Sequence, residues 1–161
     1  MNPELQVIVT KLIPSNLSIK RVSGVLRDLD NDYAPALSTI VDIDLYAEKL
    51  VSRAVVLLAT IEGKDVGLVA IYVNDQINCI GYISTIGARQ DVRGKGIGRA
   101  LMESALNVAK SHGMYCVRLE VSCVNTPALS LYRKMGFSVL ENEKTRRYDD
   151  SILMYKSVRV G

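Results

Sequence analysis

The apolar positions of this chain change period along its length. From Leu5 to Leu12 apolar and polar residues alternate, as in a half-buried strand. Pro14-Ser15 opens a segment in which Leu17, Val22, Val25, Leu26 and Leu29 keep a roughly helical spacing. Ser15 stands at the N-cap and Gly24 breaks the stripe. Asp30 to Ser38, with Pro35 inside it, predicts a loop, and Asp42 predicts the cap of a second helix through Tyr46 and Leu50. Ala54 to Ile61 then reads as a buried strand. Glu62-Gly63-Lys64-Asp65 reads as a hairpin turn, and Val66 to Val73 as the returning strand. Asn74-Asp75 predicts another turn before a third strand from Ile77 to Ala88.

Beyond this point the helical period returns. Ile97, Leu101, Ala105, Val108 and Ala109 fall on one helical face, and Gly113 stops that helix. Cys116 to Ser122 predicts a strand, Thr126 to Met135 a helix ended by Gly136, Phe137 to Leu140 a strand, and Ser151 to Val158 the last strand. An antiparallel meander followed by β-α-β-α-β predicts an α/β fold of the mixed-sheet (α+β) kind, with helices on its faces. No repeat, low-complexity tract or linker interrupts the order, so residues 1–161 read as a single domain.

Composition narrows the function classes. At 161 residues, 48% hydrophobic and 23% charged, the chain has the mix of a folded soluble protein. A net charge of +3 is too small to argue for a nucleic-acid partner, and with one Phe and no Trp there is no obvious aromatic stacking surface. The three cysteines, Cys79, Cys116 and Cys123, match no metal spacing; lying in or beside apolar runs, they read as buried reduced thiols of a cytoplasmic protein. Met1-Asn2-Pro3-Glu4 lacks the features of a secretory signal, and the longest mostly apolar run, Ala54 to Ile61, is too short to span a bilayer, so no membrane partner is expected.

The strongest chemical signal is Arg93-Gly94-Lys95-Gly96-Ile97-Gly98-Arg99, between the end of a strand and the start of a helix. Its glycines remove the side chains that would hold a ligand off the backbone. Amides at a helix start lack intrahelical partners and sit at the positive end of the helix dipole, which suits a pyrophosphate. Arg93, Lys95 and Arg99 add positive charge. A P-loop is excluded because Lys95 is followed by Gly96 and not by Ser or Thr. A Rossmann fingerprint would need glycine at position 99, and its βαβ unit would open the chain. Glu120 nonetheless stands where a ribose-binding acid would.

The spacing Arg93-x-x-Gly96-x-Gly98 resembles the pyrophosphate loop of the GNAT N-acetyltransferase superfamily. So does a second stretch, Leu119-Glu120-Val121, Asn125, Ala128, Tyr132 and Gly136-Phe137, the two together covering about residues 80 to 140. The resemblance implies a mixed sheet with two adjacent parallel strands, ending near Ala88 and Ser122, that splay to admit a cofactor. It implies acetyl-CoA as co-substrate, with no metal. The main-chain amides of Gly94, Lys95, Gly96, Ile97, Gly98 and Arg99 would hold the pyrophosphate. Main-chain groups of Ile86 and Ala88 would hold the pantetheine arm, with Asn125 on its other side. Tyr132 would be the catalytic residue beside the thioester sulfur.

That chemistry asks for a neutral amine, donors for the oxyanion and a proton for the departing thiolate. Tyr132 suits the last task. Some members of the family carry a glutamate early in the central strand; here Ile80 takes that position, and Glu120, a water held by Tyr82 or Ser84, or an amine that arrives partly neutral remain as alternatives.

The implied reaction is acetyl transfer to a primary amine of a small-molecule or peptide acceptor, by direct attack in a ternary complex. A homodimer is left open, and a non-catalytic acyl-CoA-binding module is the competing class. Residues 14 to 53 are the part that varies most in such enzymes. Within them Pro35-Ala36-Leu37-Ser38, Val41-Asp42 and Tyr46 are similar to GNAT proteins associated with surface-polysaccharide genes. That implies an amino sugar as one acceptor, beside a protein N-terminus, a lysine and a polyamine. Asp28-x-Asp30-x-Asp32 fails as a calcium loop, since Tyr33 and Thr39 stand where Gly and Glu would be needed. It reads as a solvated loop, the alternative being a segment that lines the acceptor side and attracts a cation. Lys144, Arg146 and Arg147 read as a solvated turn between the last two strands, the sharper alternative being a contact to an acidic acceptor or partner.

Overall fold

Side chains cap the first two helices. In the computed structural model, which describes residues 6–33, 35–140 and 150–159, helix α1 spans Asn16–Asp28 and Ser15 accepts from the Ser18 amide at its start. Helix α2 spans Ile43–Arg53, with the Asp42 carboxylate accepting from the Leu45 amide. Both caps satisfy an amide that the helix leaves unpaired. Gly24 does not break α1. It lies on the exposed face, where a missing side chain removes nothing from the core. Between the helices, Asp30–Asp32 and Leu37–Thr39 form single 3-10 turns within the segment expected to be loop.

The strands are β1 (Val7–Lys11), β2 (Val55–Ile61), β3 (Lys64–Tyr72), β4 (Ile80–Ala88), β5 (Cys116–Ser122), β6 (Ser138–Val139) and β7 (Ser151–Ser157). They form a mixed sheet in the order β1-β2-β3-β4-β5-β7-β6. Helix α3 (Ile97–Ser111) lies between β4 and β5 in the chain, and α4 (Thr126–Lys134) follows β5. The hairpin between β2 and β3 turns on Glu62 and Gly63 alone, both at positive φ (50° and 76°), so Lys64 and Asp65 belong to the strand. Strand β4 begins at Ile80 and not at Ile77. The Asp75 carboxylate takes the amides of Ile77 and Asn78, holding this segment as a turn with Ile77 91% exposed.

The chain divides into two compact units, Met1–Ala70 with Thr85–Ala105 and Ile71–Ser84 with Leu106–Gly161. In the first, β1 runs antiparallel to β2 from Val7↔Ile61 to Lys11↔Leu57, and the Arg89 amide bonds the Val66 carbonyl at 2.8 Å just past β4. Its core includes Val22, Leu26, Leu50, Leu58, Leu68 and Leu101. In the second, β5 pairs antiparallel with β7 along its whole length, and β6 pairs with β7. The parallel register of β4 with β5 runs only from Ile80↔Cys116 to Ile83↔Leu119. It ends there although β5 continues to Ser122, still paired with β7.

Gly113 ends α3 at φ 76°. Its amide bonds Lys110 and the Met114 amide bonds Ala109, which closes the helix and buries Met114. The cysteines form no disulfide, but they are not buried as the sequence predicts. Cys79 and Cys116 are half-buried and Cys123 is exposed just past β5, because the apolar runs they adjoin end before or beside them. Among the described residues no helix is long and apolar enough to cross a membrane. Lys144, Arg146 and Arg147 lie outside the described residues.

Candidate functional site

In the first unit, the end of β4 leads through a single 3-10 turn, Gln90–Val92, into the glycine loop and α3. The buried Val92 anchors the turn. Gly94 and Gly96 take φ of 82° and 78°, a left-handed backbone that L side chains rarely adopt. A Cβ on either would meet nothing within 4 Å, so conformation and not crowding demands glycine, and the space over the loop is open. The first intrahelical bond of α3 runs from the Ala100 amide to the Gly96 carbonyl at 3.0 Å. The amides of Ile97, Gly98 and Arg99 therefore belong to the first turn, where donors point out of the helix end. A cradle of this kind, with open space above it, fits an anion.

The charges expected around the loop are deployed differently. Arg93 reaches back from the loop: its Nη2 lies 2.5 Å from Asp32 Oδ2, and its Nε donates to the Ala88 carbonyl at 3.3 Å. Arg99 pairs with Glu103 one turn along α3, Nε to Oε1 at 3.1 Å. Lys95 is exposed and has no ion-pair partner among the described residues. Ile86 and Ala88 are among the last three residues of β4, both half-buried.

Two residues at this end of β4 carry roles that the sequence does not reveal. The Tyr33 hydroxyl bonds the hydroxyl of the buried Thr85 on β4. Burial pushes the Tyr33 phenol up to about 12, against the opposing effect of the Thr85 bond and with Tyr46 and Asp32 adding to the rise. Tyr33 is thus neutral and no general base. Asp32 takes Gln90 Nε2 on Oδ1 at 3.1 Å and Arg93 on Oδ2. Asp30 accepts from the Ser38 amide and hydroxyl at 2.7 and 2.6 Å, and the Ser38 hydroxyl bond first of all holds its carboxyl below the usual range. The acidic segment is a bonded strap. The one hint in the sequence is a lone aromatic, Tyr33, among loop formers.

In the second unit, Asn125 caps α4: its Oδ1 accepts from the Ala128 amide at 3.3 Å, and Pro127 follows in the first turn. Capping occupies the side-chain oxygen and leaves the amide N–H groups to donate. Tyr132 sits at the other end of α4, 7% exposed. The helix ends there in a Schellman arrangement. Gly136, at φ 93°, donates to Arg133, and the Phe137 amide donates to the Tyr132 carbonyl at 2.9 Å. The ring of Phe137 packs against Tyr132 with centroids 5.9 Å apart. Gly136-Phe137 is therefore the cap that fixes the tyrosine. On β5 the half-buried Glu120 accepts from the hydroxyl of the buried Ser151. Ile80, Tyr82 and Ser84 are the half-buried positions alternating with buried Gly81, Ile83 and Thr85 along β4.

A sequence model described as "Acetyltransferase (GNAT) family" matches residues 24–137. Among curated proteins, the mycothiol acetyltransferase of Pseudarthrobacter chlorophenolicus is 33% identical over 82 residues, 51% of this chain and 23% of that protein. The streptothricin acetyltransferase of Streptomyces lavendulae is 52% identical over 46 residues, 29% of this chain and 24% of that protein. The matched stretches thus span about a quarter of those relatives' own length. The ribosomal-protein-S18-alanine N-acetyltransferase structure from Escherichia coli superposes with a TM-score of 0.74, covering 97% of this chain and 96% of its own, at 18% identity. That likeness is one of fold.

Proposed function

Because the chain belongs to the GNAT acetyltransferase family, we propose that it transfers acetyl from acetyl-CoA to a primary amine by direct attack in a ternary complex. The observation that carries the reading is the loop from Arg93 to Arg99, whose two left-handed glycines open the first amides of α3 to an anion. Those amides hold the CoA pyrophosphate, with Lys95 adding charge. Main-chain groups of Ile86 and Ala88 and the Asn125 side-chain amide hold the pantetheine arm.

Acetyl-CoA supplies an activated carbonyl. The amine nitrogen bonds to that carbon, its proton leaves, and the carbon–sulfur bond breaks. The Tyr132 phenol delivers a proton to the departing thiolate and is reprotonated from solvent. Glu120 on β5, or a water held by Tyr82 or Ser84, takes the proton of the attacking amine. The relatives are named for mycothiol, streptothricin and ribosomal-protein-S18 alanine, and these names differ too widely to carry over. A small-molecule or peptide amine is the acceptor class we infer.

The test is release of thiol from acetyl-CoA across a panel of amino sugars, polyamines, lysine and N-terminal peptides. Amine-dependent release with at least one class is expected. Tight CoA binding with no release above hydrolysis for any class would favour the non-catalytic acyl-CoA-binding module.

A further inference from the structure

The strap between α1 and α2 is fastened to the glycine loop and to the strand that precedes it. Asp32 is the fastening point: one carboxylate oxygen takes Gln90 Nε2 at 3.1 Å and the other takes Arg93 Nη2 at 2.5 Å. Gln90 begins the turn after β4, and Arg93 is the last residue before Gly94. Asp32 is itself held in place. Its amide bonds the Leu29 carbonyl at 2.9 Å, and the residues around it are pinned by Asp30 to Ser38 and by Tyr33 to Thr85. Its side chain is 20% exposed, while that of Arg93 is 51% exposed, so the carboxylate is the more fixed partner.

A carboxylate beside an anion site opposes the anion electrostatically. Its presence there calls for a second effect of opposite sign. That effect is preorganisation. Gln90 and Arg93 are long side chains on the five-residue connection between Ala88 and Gly94, and without an anchor each would lose rotamer freedom when the ligand binds. Arg93 uses Nε on the Ala88 carbonyl and Nη2 on Asp32, which leaves Nη1 to donate elsewhere.

We propose that Asp32 is a positioning residue for the cofactor loop, holding Gln90 and Arg93 so that the turn presents the loop amides to a pyrophosphate. The inference rests on the reading of residues 93–99 as the CoA site. Asp32→Asn keeps the shape but has one acceptor oxygen where two are needed, so it cannot serve both partners.

Calorimetric titration of CoA into the wild type, Asp32→Asn, Arg93→Gln and the double variant tests this, with thermal melting of each apo protein. Asp32→Asn is expected to weaken CoA binding about tenfold, with little change in apo melting. The loss in the double variant is expected to fall well short of the product of the single losses, since Asp32 acts through Arg93. Unchanged or tighter CoA binding by Asp32→Asn would overturn the inference, the tighter result assigning the carboxylate a repulsive effect alone. Losses that simply multiply would also overturn it. A wild type that fails to bind CoA would overturn the cofactor reading itself, and this inference with it.

Discussion

A Cβ placed on Gly67 of β3 would lie 2.7 Å from the carbonyl oxygen of Gly87 on β4, and 3.3 Å from both the Ala88 Cα and the Leu101 Cδ1. The two strands meet here on bare backbone, and the strand so placed is the one that leads into the glycine loop. Gly67→Ala must push that backbone aside. It should cost about 1–3 kcal/mol and lower the melting temperature by about 3–9 °C, read by thermal unfolding. A wild-type melting curve would show that the close approach is not required.

Gly24 is the opposite case. It lies mid-helix on the exposed face of α1, and a Cβ there would meet nothing within 4 Å. Gly24→Ala should raise stability by about 0.5–1 kcal/mol, through the helical preference of alanine and a less flexible unfolded chain. Denaturant unfolding measures it, and a loss of stability would contradict the open environment.

Tyr132→Phe separates chemistry from packing. The ring keeps its contact with Phe137, and α4 keeps its cap, since the Phe137 amide uses the Tyr132 main-chain carbonyl. The fold and the CoA affinity should change little, while turnover with a good acceptor should fall about 10²-fold or more where proton delivery to sulfur limits the rate. Equal small losses in both would make Tyr132 a packing residue.

Helix caps are legible in the sequence, and contacts between distant segments are not. Ser15 and Asp42 mark helix starts because a cap is written within four residues of chain. Gly113 and Gly136 mark helix ends for the same reason. Strand β4 starts three residues later than the apolar run from Ile77 suggests, because the Asp75 carboxylate holds the Ile77 amide in a turn. Helical propensity alone makes Gly24 a break, while its exposed position lets α1 run through it. At the site, the glycine loop was visible as spacing. The contact of Asp32 with Arg93, 61 residues apart, and of Tyr33 with Thr85, 52 apart, leave no periodic trace. Cap and ligand roles also look alike in one dimension: the asparagine before α4 carries the first in the structure and the second only by resemblance.

Tyr33 predicts a pH dependence at the alkaline end. Its phenol, pushed up to about 12 by burial, ionises near 10 in the unfolded chain. The folded form therefore holds the proton more tightly. Its contribution to stability is fully present below pH 10 and is lost as pH rises toward 12. Unfolding measured from pH 9 to 12 should show stability falling more steeply for the wild type than for Tyr33→Phe. Parallel curves would place the phenol in water.

We propose that the loop from Arg93 to Arg99 holds the pyrophosphate of CoA, and calorimetric titration of CoA into the wild type and Gly96→Glu decides it. The substitution puts a bulky anion at a left-handed position over the first amides of α3. The wild type should bind CoA and a folded Gly96→Glu protein should not. Unchanged CoA affinity in a folded variant, or no CoA binding by the wild type, would contradict the account.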